Sequence, residues 1–265
     1  MSTQPNQQNA KITLYWLTKS RAQRIIWLLE ELQVEYDLKV FKRGKDQLAP
    51  PELKEIHPLG KSPVIGVQAA GAEKPVILAE SGTIVEYLTE HFGRWMIPNQ
   101  YVEGKEGMVG GETEEWLRYR YLMHYAEGSF MGLLVIALVV HNIRKAPVPF
   151  FLKPITNAIA GKIDTSFIDP QLKTHLDFLE GYLGQSPKQG EFFCGTSLTG
   201  ADVMMVFALE AAVPRAQLNE KTYPKLYGWI RRMQGREAYQ RAGEKVSEAS
   251  GEQYVPYSDM TMDEF

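Results

Sequence analysis

The stretch Val76-Ile-Leu-Ala-Glu-Ser-Gly-Thr-Ile-Val-Glu-Tyr-Leu88 joins a short apolar run to a helical pattern in which Ile84, Val85 and Leu88 fall on one face. Ser81 or Gly82 stands at the start of that helix. A helix start exposes free N–H groups and the positive end of the peptide dipole, so it favours negative charge. Glu80 places a carboxylate directly beside it. A ligand carrying an ammonium and a carboxylate on one carbon would satisfy both: the ammonium on Glu80, the carboxylate on the helix end.

Upstream, His57-Pro-Leu-Gly-Lys-Ser-Pro-Val-Ile-Gly-Val67 contains a second extended run. Pro63 opens it without an N–H and forces Ser62 into an extended conformation. Gly71–Pro75 reads as the hairpin connection to 75–79. Lys11–Leu17 suits a buried strand. Ser20 then precedes a helix with Ile25, Leu28, Leu29 and Leu32 inward, and Glu35–Lys42 alternates as another strand. The chain therefore begins β-α-β and adds a hairpin and a helix.

From about residue 108 the strand signal ends. Glu112–Val140 is a long helical pattern, and 145–160 is interrupted by Pro147, Pro149 and Pro154. The spacing predicts helices over Asp169–Gly184, with Asp169-Pro170 as its cap, from Thr199 through Ala212, and from Tyr223-Pro224 to Gln234. Thr199-Gly-Ala-Asp202 has capping-box spacing, with Leu198 and Val203 as a hydrophobic staple. The expected division is a flexible tail at 1–9, an α/β domain at 10–98, a link at 99–107, an all-α domain at 108–245 and an acidic tail at 246–265, mobile or draped over the surface.

The 265 residues are 44% hydrophobic and carry a net charge of −3. That is enough apolar material for one or two cores, and without a basic footprint nucleic acid is not an expected partner. The single cysteine, Cys194, excludes an internal disulfide and a cysteine metal cluster. It reads as a small apolar residue. The five histidines show no paired ligand spacing, so no metal is expected. The polar opening, Met1–Ala10, has no apolar secretory run, and a cytoplasmic location is the expectation. The apolar run Phe130–Val140 is shorter than the roughly 18–20 residues of a spanning helix and reads as core.

Backbone groups at extended Ser62 are free to pair with a peptide ligand as an added strand. An anionic far end of that peptide would meet Lys61 or Lys42, and Ser20, at its own helix start, would face the middle.

Taken in order, Tyr15-Trp-Leu-Thr-Lys-Ser-Arg-Ala-Gln-Arg24, His57-Pro-Leu-Gly-Lys-Ser-Pro63 and Leu78-Ala-Glu-Ser-Gly82 resemble the glutathione S-transferases. Within them, the chain is similar to the fungal subfamily of yeast transferases associated with the endoplasmic reticulum. The likeness runs from about Ile12 to about Ala242 and includes Ala49–Lys54, Tyr125–Ser129 and Leu198–Asp202. It implies a thioredoxin-like N-terminal domain, an all-α C-terminal domain, a homodimer, and glutathione as co-substrate with a hydrophobic electrophile. Pro63 would be a cis-proline, Ser62 would pair with the cysteinyl unit, Glu80 and Ser81 would hold the γ-glutamyl zwitterion, and Lys61 and Lys42 would lie near the glycyl end. Tyr121 and His124 would border the second-substrate pocket. Peripheral attachment to the endoplasmic reticulum membrane is also implied.

Such chemistry needs a thiolate, and a free thiol has a pKa of about 8.5. Ser20 matches the family's active-site serine region. Thr18 and Tyr15 are rival donors, and Arg21 would add positive potential. Conjugation to electrophiles, in detoxification or secondary metabolism, is the expected activity. Glutathione-dependent peroxide reduction, or ligand binding without turnover, are the alternatives.

Overall fold

The computed structural model describes residues 7–264. Its first unit is a four-stranded sheet in the order β2-β1-β3-β4, built from β1 (Lys11–Leu17), β2 (Tyr36–Phe41), β3 (Val64–Gln68) and β4 (Val76–Ala79). β1 runs parallel to β2 and antiparallel to β3, and β3 pairs antiparallel with β4. The parallel pair is joined by α1 (Gln23–Glu31), as a crossover requires. A short α2 (Leu53–Ile56) precedes β3, and α3 (Ser81–Phe92) follows β4.

Alternation along β1 sorts its side chains onto two faces. Leu14 and Trp16 enter the main core with α1 and α3. Tyr15 and Leu17 enter a smaller cluster with Leu53 and Val64. On α3, Ile84, Val85 and Leu88 are buried as their spacing predicts.

The link from residue 99 runs through a bridge between Tyr101 and Glu112. Thr113 Oγ1 then accepts from Trp116 N at 3.1 Å and caps α4 (Glu114–Tyr125). Helical turns of π type over Ala126–Met131 carry α4 into α5 (Gly132–Lys145). The combined Glu114–Lys145 helix is long and apolar enough, by length and composition, to cross a membrane. It is only partly core: Leu133, Leu134, Ala137 and Val140 of α5 are buried, whereas Ile136, Val139 and Ile143 are exposed.

The proline-broken segment contains a helix that its prolines obscure, α6 (Lys153–Ile163), with Pro154 in the tolerated first turn. Asp169 is not a cap. Residues 164–168 are already helical, with π-type turns, and lead straight into α7 (Asp169–Gly184). Pro170 sits just past those turns, where the widened hydrogen bonding absorbs its missing N–H. α8 (Gly200–Ala216) is the central helix, buried along every face from Gly200 to Ala212. Asp202 closes its start: one carboxylate oxygen accepts from Thr199 N at 2.9 Å and Thr199 Oγ1 at 2.8 Å, and the other accepts from Phe193 N at 3.0 Å. α9 (Pro224–Gln234) and α10 (Glu237–Ser250) complete the bundle.

Both chain ends make defined contacts among the described residues. Gln7 is tied down, donating to the Glu35 carbonyl at 2.8 Å and accepting from its N–H at 2.9 Å, and residues 1–6 of the expected tail lie outside the described residues. The segment assigned to an acidic tail begins inside α10, where Val246 is buried. Beyond α10 the chain folds back as a strap. Glu252 pairs with Lys42 at 2.7 Å, Asp259 with Arg231 at 3.0 Å, and Asp263 with His141 at 3.0 Å. Tyr257 is only 3% exposed and packs edge-on against Phe207, with 4.5 Å between ring centroids.

Candidate active site

Strand register gathers the candidates. Tyr15 is opposite Val64, and Val64 is opposite Ala79. The segment after β1, the segment before β3 and the segment after β4 therefore meet at one end of the sheet. They carry Ser20, Lys61-Ser62-Pro63 and Glu80-Ser81. The Ser62–Pro63 peptide is cis.

Ser20 is buried just before α1, and its Oγ accepts from Ala22 N at 3.2 Å. The same hydroxyl lies 3.4 Å from Ser62 Oγ, a long and weak hydrogen bond, and Ser62 Oγ donates to the Tyr15 carbonyl at 3.1 Å. The Ser20 hydrogen is thus held by a poor acceptor at a helix start with no acidic residue in its first turn. An anion arriving there would be a better one.

At the second helix start, Glu80 is exposed with φ 70° and ψ 125°. This region is strained for a residue with a side chain. No side chain caps α3, and Ser81, its first residue, is buried. The carboxylate and the helix start are therefore presented side by side.

An interdomain cleft of about 500 Å³ adjoins this sheet end. Ser20, Lys61 and Ser62 line one wall, and Met131, Val135, Leu138 and Asn142 of the opposite domain line the other. Phe207, Arg215 and Tyr257 also line the cleft. Burial lowers Arg215 to about 10, which leaves it cationic at neutral pH.

Several predicted side chains are engaged elsewhere. The Tyr15 ring packs on Phe41 in the smaller cluster and does not line the cleft. Thr18 Oγ1 accepts from Arg43 N at 3.1 Å. Arg21 lines the cleft, but Glu127 lies 3.1 Å away and offsets its charge, as it does for fully buried Arg24 at 2.7 Å. Lys42 turns to Glu252 of the strap, whereas its neighbour Arg43 lines the cleft. The Arg43 guanidinium is held by the carbonyls of Thr18, Lys19 and Gln47.

Tyr121 and His124, which the resemblance places beside a second-substrate pocket, lie apart from this cleft. Tyr121 stacks on Tyr125 at 5.3 Å and meets Phe178 and Tyr182, His124 is exposed, and neither lines the cleft. The cleft face is carried by Met131, at the end of the π-type turns, and by Val135, Leu138 and Asn142 of α5. Cys194 is buried, which pushes its thiol well above the usual range, so it packs as an apolar residue. Among the described residues no three His, Cys, Asp or Glu side chains are grouped to hold a metal.

Two family descriptions match the chain: "Glutathione S-transferase, N-terminal domain" over residues 10–90 and "Glutathione S-transferase, C-terminal domain" over residues 165–232. Glutathione S-transferase 1 of Saccharomyces cerevisiae is 32% identical over 235 residues, covering 89% of this chain and 95% of its own length. The chain belongs to the glutathione S-transferase family. Among solved structures, a glutathione S-transferase from Actinobacillus pleuropneumoniae is 27% identical, with 96% of each chain covered and a TM-score of 0.64. A glutathione transferase from Phanerochaete chrysosporium, crystallised with oxidized glutathione, shares the fold at 18% identity and TM-score 0.63, with 91% of this chain and 97% of that one covered. The two transferase domains are the four-stranded unit and the helical bundle described above.

Proposed function

We propose that this transferase binds glutathione across the sheet end, ionises its thiol beside Ser20, and conjugates it to electrophilic small molecules, in detoxification or secondary metabolism. The observation that carries this reading is the convergence of two helix starts at one sheet end: Ser20 before α1, 3.4 Å from Ser62, and Glu80-Ser81 opening an uncapped α3.

In this reading Glu80 takes the ammonium and the α3 start takes the carboxylate of the γ-glutamyl head. Ser62 pairs its backbone with the cysteinyl unit, and Lys61 meets the glycyl carboxylate. The thiol gives its proton to solvent, and the Ser20 hydroxyl donates to the sulfur anion. Lowering a thiol pKa by two units takes about 2.7 kcal/mol. A hydrogen bond to a charged group contributes about 1.5–3 kcal/mol and a helix dipole about 0.3–1 kcal/mol, so the two together reach that figure. The thiolate then forms a sulfur–carbon bond with an electrophile held against Met131, Val135 and Leu138, and the leaving group departs with its electron pair. A homodimer is part of the proposal.

Glu80→Ala should weaken glutathione binding about tenfold or more in titration calorimetry while the melting temperature barely moves, because Glu80 is exposed and caps nothing through its side chain. Unchanged affinity would remove the zwitterion argument.

A cytoplasmic location with peripheral attachment to an anionic membrane is proposed as well. The α5–α6 hairpin supports it: α6 packs chiefly against α5 and the turns that follow it. At the hairpin tip Phe150 is 85% and Phe151 64% exposed, with Ile155 and Ile159 continuing the apolar stripe and Lys153 and Lys162 beside it. Cosedimentation with phosphatidylserine vesicles should be lost when both phenylalanines are replaced by serine; a wild-type chain that stays in the supernatant would rule the attachment out.

A further inference from the structure

A second cavity of about 180 Å³ lies beneath the C-terminal strap, between the β1–α1 junction and residues 246–264. Trp16 and Gln23 line it, and both are more than nine-tenths buried. Trp16 Nε1 and Gln23 Oε1 have no hydrogen-bond partner in the protein. The Gln23 side chain also interacts with Tyr254, and its oxygen is the unpartnered end. Buried polar groups are normally satisfied, so a donor and an acceptor left open beside one cavity point to an occupant.

The remaining wall selects its chemistry. Val246, Val255 and Met260 form an apolar surface, with Tyr254 and Tyr257 completing it. Water alone would satisfy the two polar atoms and leave that wall unfilled. At the mouth, Lys19 stands with Glu252 and Glu264, so both signs of charge are present and neither favours a charged guest. An engineered apolar cavity of about 150 Å³ takes up benzene, so the space suits one substituted ring.

We propose that this cavity is a second ligand site, distinct from the interdomain cleft, for a compact neutral phenol whose hydroxyl donates to Gln23 Oε1 and accepts from Trp16 Nε1. Lys19 and Tyr257 line both spaces, so the phenol lies behind the loop that carries Ser20.

The test is titration calorimetry of the full-length protein with 4-ethylphenol, in the presence of saturating glutathione, against 4-ethyltoluene, which has the same outline and no hydroxyl. One phenol per chain is expected, with 4-ethyltoluene bound at least tenfold more weakly. Trp16→Phe and Gln23→Leu should each weaken the phenol about three- to tenfold, and Val255→Trp, at the partly exposed mouth, should block it. The two-ligand comparison on the wild-type chain holds even if a buried variant fails to fold. No phenol heat, equal affinity for both ligands, or binding indifferent to Val255→Trp would overturn the proposal. Because the readout is phenol binding, failure of the glutathione reading would appear separately, as no glutathione heat.

Discussion

Glu210 has a single-residue consequence for stability. It is fully buried on α8, accepts from Tyr239 Oη at 2.5 Å and Gln234 Nε2 at 3.0 Å, and burial pushes its carboxyl up to about 7. An unfolded glutamate titrates near about 4.3. Between these values the folded chain holds a proton that the unfolded chain has lost, so stability falls as pH rises through that window. The full effect is on the order of 3 kcal/mol. Urea unfolding at several pH values should show the wild type losing stability relative to Glu210→Gln from about pH 4.5 to 7, with the difference flat above that; parallel curves throughout would contradict the assignment. Legibility at this scale depends on whether chemistry is local. That Ser20, Ser62, Glu80 and Ser81 stand at element ends is readable, because each end is marked by a proline, a glycine or a change of period; their meeting at one sheet end is set by strand register. Arg43 and Glu127 were not, because their roles come from contacts across 25 and about 100 positions, with Thr18 and Arg24. Tyr257 was hidden in a polar tail, one of whose aromatic residues packs into the core.

At the scale of elements, the strands, α1, α3 and the Thr199–Asp202 cap follow from short-range pattern, and the structure contains them; the order β2-β1-β3-β4 depends on pairing of β1 with distant β3 and is seen only in the structure. The capping network makes its own prediction. Asp202→Ala would strip the buried Phe193 and Thr199 N–H groups of their acceptor. A loss of about 3 kcal/mol in unfolding free energy is expected, against a smaller loss for Thr199→Ala, which removes only the hydroxyl partner; equal and small losses would show that the network contributes little. The elements that escaped are those where a local rule misleads. Pro154 suggested a break but occupies the first turn of α6, and Pro170 suggested a start but lies within a continuous helix. The resemblance implies a role for Tyr121 and His124 through their helix as a whole, and resemblance alone does not say which of its side chains face the cleft; Met131, Val135 and Leu138 line it after the π-type turns.

Across the whole molecule, one core runs from β1, α1 and α3 into α8 and the rest of the bundle. Interdomain ion pairs reinforce it, with Glu30 held by Lys245 at 2.5 Å and by Arg241 at 3.2 Å. The cleft is therefore set between two units that share packing, and the strap joins them again through Lys42 and Arg231. That rigidity is what would hold Ser20, Ser62 and Glu80 in register for a bound tripeptide. The most direct test of that claim follows the ultraviolet absorbance of the glutathione thiolate on the protein as pH is raised. The account predicts a midpoint about two units below the free-thiol value of about 8.5, moving back up by one to two units in Ser20→Ala. A midpoint that stays at the free value in the wild-type protein would contradict it.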